Sequence, residues 1–252
     1  MNSNIKEIGH VAFRVKDKES VLKYYKEDLG LNVGFILKTK TGMDRIVYYQ
    51  LNHGHFIELF PECDMGSWPD YDGKNPLGKY SYFNTTIGKG NSTEIHQDPE
   101  ENRWIVNDGE RYISKVTYYC NNLQYNKKFY TDILELELAE EDENHVVIQV
   151  NAEQQIELLN KHYTDSNNCE AKGFHHFALI VNDIAKMADF CVEKGVQLYN
   201  GNKARNNPYT KPYEPVKHSE KSYNFWIQDY EDNEIEVMAY SPESYQLIYA
   251  AK

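Results

Sequence analysis

Gly9-His10-Val11-Ala12-Phe13-Arg14-Val15 and His175-His176-Phe177-Ala178-Leu179-Ile180-Val181 are one strand pattern written twice, with a histidine at the same place in each copy. Several dozen residues after each copy comes an apolar strand with a lone carboxylate inside it. The first is Phe56-Ile57-Glu58-Leu59-Phe60 and the second Glu234-Ile235-Glu236-Val237-Met238. A histidine early and a glutamate late, in repeated units, points to a metal site built by duplication, since imidazole and carboxylate together ligate divalent ions.

Working outward from these strands, the chain divides into repeats, which decide an architecture before any single element does. In the first unit the strand Ile8 to Val15 leads to a helix from Lys18 to Leu29, with Val21, Leu22, Tyr25 and Leu29 at helical spacing and Gly30 placed to end it. Strand-like runs follow at Val33 to Leu37, Arg45 to Leu51 and His55 to Phe60, the last two joined by the turn Asn52-His53-Gly54. The order is β-α-β-β-β. It returns from Tyr112, with a strand Ile113 to Cys120, a helix from about Leu123 to Leu134, and strands Val146 to Val150 and Gln155 to Leu159. A further unit has the strand His176 to Val181, a helix Ile184 to Lys194 capped by Gly195, the long loop Asn200 to Lys221, and strands Tyr223 to Ile227 and Glu234 to Ala239. Residues 64 to 110 read as a shrunken unit that has lost its helix: a Gly/Pro/Asp-rich loop from Met65 to Gly78, a strand Tyr80 to Ile87, and a turn at Asp98 that resembles the one at Asp229. The expectation is an α+β fold of tandem βαβββ units forming curved mixed sheets around a cleft. It has an N-terminal domain 1–110 (units 5–62 and 64–110) and a C-terminal domain 111–252 (units 112–160 and 173–241).

Composition narrows the function classes. The 252 residues carry 27 Lys+Arg against 39 Asp+Glu, a net charge of −12, with no basic stripe. That argues against a nucleic-acid partner, which needs clustered cations, and disfavours anionic membrane surfaces. No apolar run approaches the ~20 residues that span a bilayer, and the N-terminus lacks a signal-peptide stretch. The four cysteines, Cys63, Cys120, Cys169 and Cys191, have no C-x-x-C spacing. A cytoplasmic protein with a small-molecule substrate is expected, and a homodimer is open to it.

The quoted strands, the Phe-Tyr/Leu-Gly helix end and Asp232-Asn233-Glu234-Ile235-Glu236 resemble the vicinal oxygen chelate superfamily, which includes glyoxalase I, extradiol dioxygenases, methylmalonyl-CoA epimerase, fosfomycin-resistance enzymes and the bleomycin-resistance binding proteins. The resemblance is good over about 5–62 and 173–241, moderate over 112–160 and weak over 64–110. It implies paired units whose first strands offer a histidine and last strands a glutamate to one divalent ion, Zn, Mn, Fe, Co or Ni. That ion holds vicinal substrate oxygens, stabilises an enolate or activates dioxygen.

Two ligand sets follow from two ways of pairing the units. Adjacent pairing, the preferred reading, brings Glu157, His176 and Glu236 together, with Lys115 at the place of the missing histidine. It leaves His10 and Glu58 with only Tyr82 and Ile105 opposite. Crossed pairing of the first and last units joins His10, Glu58, His176 and Glu236. Glu236 and Glu157 are the candidate proton-transfer bases. Lys115, normally protonated and so a poor ligand, and Tyr223 are candidate substrate contacts. His175 is expected on the opposite side of its strand from His176, in a structural role. His53 and His55 are expected at the surface, and the loop Tyr209 to Tyr213 with Lys211 and Lys217 over the cleft. The acidic run Glu140 to Glu143 reads as a solvated turn. The expected function is a metal-dependent lyase or isomerase, ahead of a ring-cleaving dioxygenase. The competing class is a metal-free, ligand-sequestering protein resembling the bleomycin-resistance proteins.

Overall fold

Val15-Lys16-Asp17, Cys120-Asn121-Asn122 and Val181-Asn182-Asp183 each end a strand and begin a helix, and each closes on a side chain that caps it. Asp17 accepts from the Ser20 backbone N–H (3.2 Å), Asn122 from Tyr125 (3.0 Å) and Asp183 from Lys186 (3.1 Å), satisfying donors that a helix start leaves orphaned. The computed structural model describes residues 2–51, 54–61, 82–160, 174–201, 208–209, 213–218 and 220–250. The three capped helices are α1 (Lys18–Glu27), α2 (Leu123–Lys128, continued by the π-helical turn Phe129–Ile133) and α3 (Ile184–Glu193). Gly30 and Gly195 follow α1 and α3 at φ of +63° and +78°, a left-handed conformation that suits glycine.

The strands fall into the four expected units. The first holds β1 (Ile5–Val15), β2 (Asn32–Lys38), β3 (Asp44–Gln50) and β4 (Phe56–Pro61), and the second β5 (Tyr82–Ile87), β6 (Thr93–Gln97) and β7 (Arg103–Asn107). The third holds β8 (Ile113–Cys120), β9 (Glu137–Glu141), β10 (His145–Gln149) and β11 (Gln155–Asn160), and the fourth β12 (Phe174–Val181), β13 (Ser222–Gln228) and β14 (Glu234–Tyr240), followed by the short helix α4 (Tyr245–Ala250). The expected turn at Asn52 and His53 and the loop Met65 to Gly78 lie outside the described residues, as does Lys211.

Two strands have no counterpart in the sequence reading. β6 and β9 are exposed edge strands, so neither face imposes apolar alternation. Glu140 and Glu141, expected in a turn, belong to β9 and pair with Val147 and Val146.

The pairing of units is crossed, which corrects the preferred adjacent reading. One seven-stranded sheet runs β13-β14-β12-β1-β4-β3-β2, joining the fourth unit to the first, and the other runs β6-β7-β5-β8-β11-β10-β9, joining the second to the third. Neither sheet follows the 1–110 and 111–252 division. The chemistry of the central strands accounts for the choice. β1 and β12 are apolar and buried nearly throughout, and side by side each screens the other. The polar run Asn84-Thr85-Thr86 of β5 meets Ser114 to Thr117 of β8 instead.

Sequence neighbours still touch, through turns rather than sheets. Asp98 accepts from the backbone of Glu100 and Asn102, from the Asn102 side chain and from Tyr25 on α1. Asp229 repeats this with Glu231, Asn233, Asn126 on α2 and Tyr130. The core lies between the sheets and the helices, with Phe13 against Trp104 and Tyr118 against Phe174 and Phe177. The buried Gln154 bolts the sheets together: its amide exchanges two hydrogen bonds with the Ile8 backbone (both 2.8 Å) and donates a third to the Ile113 carbonyl (2.7 Å).

Candidate metal centre

Ile8 packs in the core, and by simple alternation His10 would too. A β-bulge at Gly9 prevents that: the register against β12 shifts between Ile8 and His10, which turns His10 to the opposite face. Glycine is required here, because a Cβ would lie 2.5 Å from Ile180 and 2.8 Å from the Tyr240 hydroxyl. A second shift in the ladder, between Ala12 and Phe13, falls opposite His175 and His176. His175 is therefore not on the far side of its strand, as expected from alternation. Its Nδ1 lies 2.6 Å from His176 Nδ1, and its ring stacks on Phe60 at 5.3 Å.

On that face four side chains converge. His10 Nε2 is 3.0 Å from Glu58 Oε2, 3.1 Å from Glu236 Oε2 and 2.9 Å from His176 Nε2. His176 Nε2 is 3.5 Å from Glu58 Oε2 and 3.3 Å from Glu236 Oε2. All four donor atoms lie within 4.8 Å of one another and all four residues are buried. Donors on one ion with bonds of ~2.1 Å sit ~3.0 Å apart at right angles and ~3.4 Å apart at tetrahedral angles, close to the 2.9–3.5 Å that separate the two histidines from each other and from the carboxylates. Two ring nitrogens facing each other at 2.9 Å fit the same account. The donor set fits a divalent ion.

The electrostatics say what the cluster does without one. Burial works against a charge on His10, but Glu58 and Glu236 outweigh it and hold its pKa at about 10. Burial would raise both carboxylates, yet the two histidines pull Glu58 far below the carboxylate range and Glu236 down to about 2. Two ionised carboxylates thus share one buried point with the His10 imidazolium, and a divalent cation would neutralise them while displacing that proton.

Residues around the cluster fix its members, and sequence reading missed them. Asn224 on β13 donates to Glu236 Oε1. Tyr48, opposite Glu58 in the ladder, hydrogen-bonds it, and burial followed by that carboxylate raises the phenol well above its usual pKa. Trp226 packs edge-on against His176 at 4.5 Å. The signal was available: Asn224 and Trp226 alternate with Phe225 on a strand beside Glu236. Tyr223, an expected substrate contact, packs toward the core instead, on the Phe225 side of that alternation.

Glu157 does not join His176 and Glu236, because crossed pairing puts it in the other sheet. There Glu157 Oε1 meets Lys115 Nζ at 2.9 Å and His145 Nε2 at 3.2 Å, and Oε2 accepts from Thr117 at 2.8 Å. Ladder register identifies this as the counterpart of the metal cluster. Glu58 pairs with Ala12, two residues past His10, and Glu157 with Thr117, two residues past Lys115. His176 faces Ala12, and Asn84 faces Thr117. Glu236 pairs with Ala178 and Ile105 with Thr86. Asn84, not Tyr82, thus holds the histidine's place. His55, expected at the surface, is buried beside Glu7 at 3.5 Å. Lys217 pairs with Glu243.

Comparison with known proteins agrees with the fold. Residues 112–208 match the family model Glyoxalase/Bleomycin resistance protein/Dioxygenase superfamily, a span that includes His176 but not His10, Glu58 or Glu236. Glyoxalase I from Zea mays is similar at 15% identity and a TM-score of 0.64, over 97% of this chain and 95% of that one. A putative dioxygenase from Bacillus subtilis subsp. subtilis str. 168 is similar at 14% identity and a TM-score of 0.66, over 99% and 91%. At such identities the likeness concerns the fold. No curated protein sequence gives a significant match.

Proposed function

We propose that this chain, whose residues 112–208 match the Glyoxalase/Bleomycin resistance protein/Dioxygenase superfamily model and whose fold is similar to that of glyoxalase I, is a divalent-metal-dependent lyase or isomerase acting on a small oxygenated substrate. The observation that carries this reading is the convergence of His10, Glu58, His176 and Glu236 on one buried point. A divalent ion held there would supply Lewis acidity to negative charge developing on a substrate oxygen. Imidazole with carboxylate suits Zn, Mn, Fe, Co and Ni alike.

The chain's own residues supply the rest. Tyr48 holds Glu58 and Asn224 holds Glu236 by hydrogen bonds, while His175 orients the His176 ring through Nδ1. Phe60 and Trp226 wall the site with apolar surface and exclude water. Either carboxylate, ionised at neutral pH, can accept a proton from a substrate carbon and return it at its neighbour. Ring-cleaving iron oxygenases use two histidines and one carboxylate. The fourth donor here takes up a position that dioxygen would need, which favours lyase or isomerase chemistry.

A metal-free, ligand-sequestering role is the second reading. It draws support from the other sheet, where Asn84, Ile105 and Lys115 stand in place of donors. No helix among the described residues is long and apolar enough to cross a membrane, and Cys120 and Cys191 are free.

The test is solvent-deuterium incorporation at the carbon next to the carbonyl in a panel of α-hydroxy ketones and thiohemiacetals, followed by NMR. Metal-loaded protein is expected to catalyse exchange that Glu58→Gln and His176→Ala abolish. Oxygen consumption with catechols and no exchange would contradict the lyase or isomerase reading.

A further inference from the structure

The second sheet repeats the framework of the metal centre with a lysine where the first has a histidine donor. Where the first sheet sets His10, His176, Glu58 and Glu236, the second sets Lys115, Asn84, Glu157 and Ile105 at matching register. Lys115 supplies the cation from within the chain: its ammonium sits 2.9 Å from Glu157 Oε1, where an ion would otherwise meet that carboxylate. Arg103 on β7 lies close enough for its charge to act on the Tyr119 hydroxyl, so a second cation is near this face.

Three observations make this more than an ion pair. Glu157 is already satisfied by Lys115, His145 and Thr117, so the ammonium keeps N–H donors to spare. Its side chain is 28% exposed and that of His145 22%, so solutes reach them. Beside them Asn84, 2% exposed, has a side-chain Oδ1 with no hydrogen-bond partner, and Thr86, 7% exposed and opposite Lys115 in the ladder, has an Oγ1 in the same state. Buried polar atoms without partners are uncommon in folded proteins and call for an explanation. The Thr86 hydroxyl can donate by rotation, and the Asn84 amide can present either its oxygen or its NH2 inward. Tyr119, two residues past Thr117 on β8, puts an aromatic ring on the same face.

We propose that this face of the second sheet is a metal-independent binding site for a small organic carboxylate. The carboxylate lies against the Lys115 ammonium and takes hydrogen bonds from Thr86 and Asn84, and its apolar body rests toward Tyr119. The two sheets then do complementary work on one framework, the first holding a cation and the second an anion. This site does not rest on the metal reading and stands or falls separately from it.

The experiment is a titration of full-length, metal-stripped protein with benzoate, using benzyl alcohol as the neutral control and following backbone amide shifts by NMR. Saturable benzoate shifts on β5 and β8 are expected, with benzyl alcohol at least tenfold weaker. Lys115→Met should weaken benzoate at least tenfold, Lys115→Arg should retain it, and His10→Ala should leave it unchanged. No saturable shift on these strands, equal binding of benzyl alcohol, or full binding by a folded Lys115→Met would overturn the proposal. Folding of each variant is checked in the same spectra. Binding lost in His10→Ala but kept in Lys115→Met would place the anion at the other sheet.

Discussion

The faces of the two sheets are built on the same ladder, yet one gathers four metal-type donors and the other closes around a lysine. Between them the backbone hardly changes: a parallel pair, an antiparallel neighbour and a second parallel pair recur in both. What changes is four side chains. With His10, His176, Glu58 and Glu236 the face brings two ionised carboxylates to one buried point. With Lys115, Asn84, Glu157 and Ile105 the single carboxylate is balanced internally. The comparison teaches that this framework fixes where groups point, and that residue identity at four registers decides whether an external cation is needed.

The comparison can be broken most directly at the donors. His176→Ala is expected to weaken divalent-metal binding on the order of 100-fold or more, beyond the 10–100-fold typical of residues that only orient a ligand. Lys115→Met is expected to leave it unchanged. Calorimetric titration with Zn and Mn checks both, and equal losses would show that the two faces are not separate sites.

A smaller effect is expected one layer out. Asn224→Ala frees Glu236 Oε1 and should weaken metal binding about 10–100-fold without changing stoichiometry. An unchanged affinity would remove Asn224 from the account.

The pH dependence of stability sharpens the contrast further. In the metal-free protein His10 is raised from 6.5 to about 10, so the folded state holds its proton more tightly than the unfolded chain. Its contribution is complete below about pH 6.5 and is lost as pH rises through about 10. Glu236, lowered from 4.5 to about 2, contributes fully above about pH 4.5 and loses its share as pH falls toward 2. The metal-free protein should therefore be most stable between about pH 4.5 and 6.5, with Tm falling on the alkaline side. Bound metal, which needs a neutral His10, should flatten that alkaline fall and release about one proton on binding near pH 8. Thermal melts across pH, with and without metal, check the sign.

Much of this was legible in the sequence, and the failures have identifiable causes. The strands holding His10, Glu58, His176 and Glu236 announced themselves by apolar runs around a single polar residue, and the helices by apolar residues at helical spacing and by Gly30 and Gly195. Pairing was not legible locally, because β1 fits β12 or β5 equally well by pattern and only the summed chemistry of both faces chooses. The irregularities at Gly9 and beside His175 break period-two alternation, which hid the side that His175 takes, and a separate register shift between Tyr82 and Asn84 hid Asn84 behind Tyr82. Edge strands β6 and β9 bury no face and leave no periodic trace.

The central claim, that one metal site is built across the first and last units, is tested most directly by bound divalent metal per chain. Protein purified without chelators or a histidine tag would be compared with His10→Ala and Glu157→Gln. The account predicts about one equivalent in the wild type, loss in His10→Ala and full retention in Glu157→Gln. Retention in His10→Ala with loss in Glu157→Gln, or no metal in the wild type even after adding Zn, Mn, Fe, Co or Ni, would contradict it.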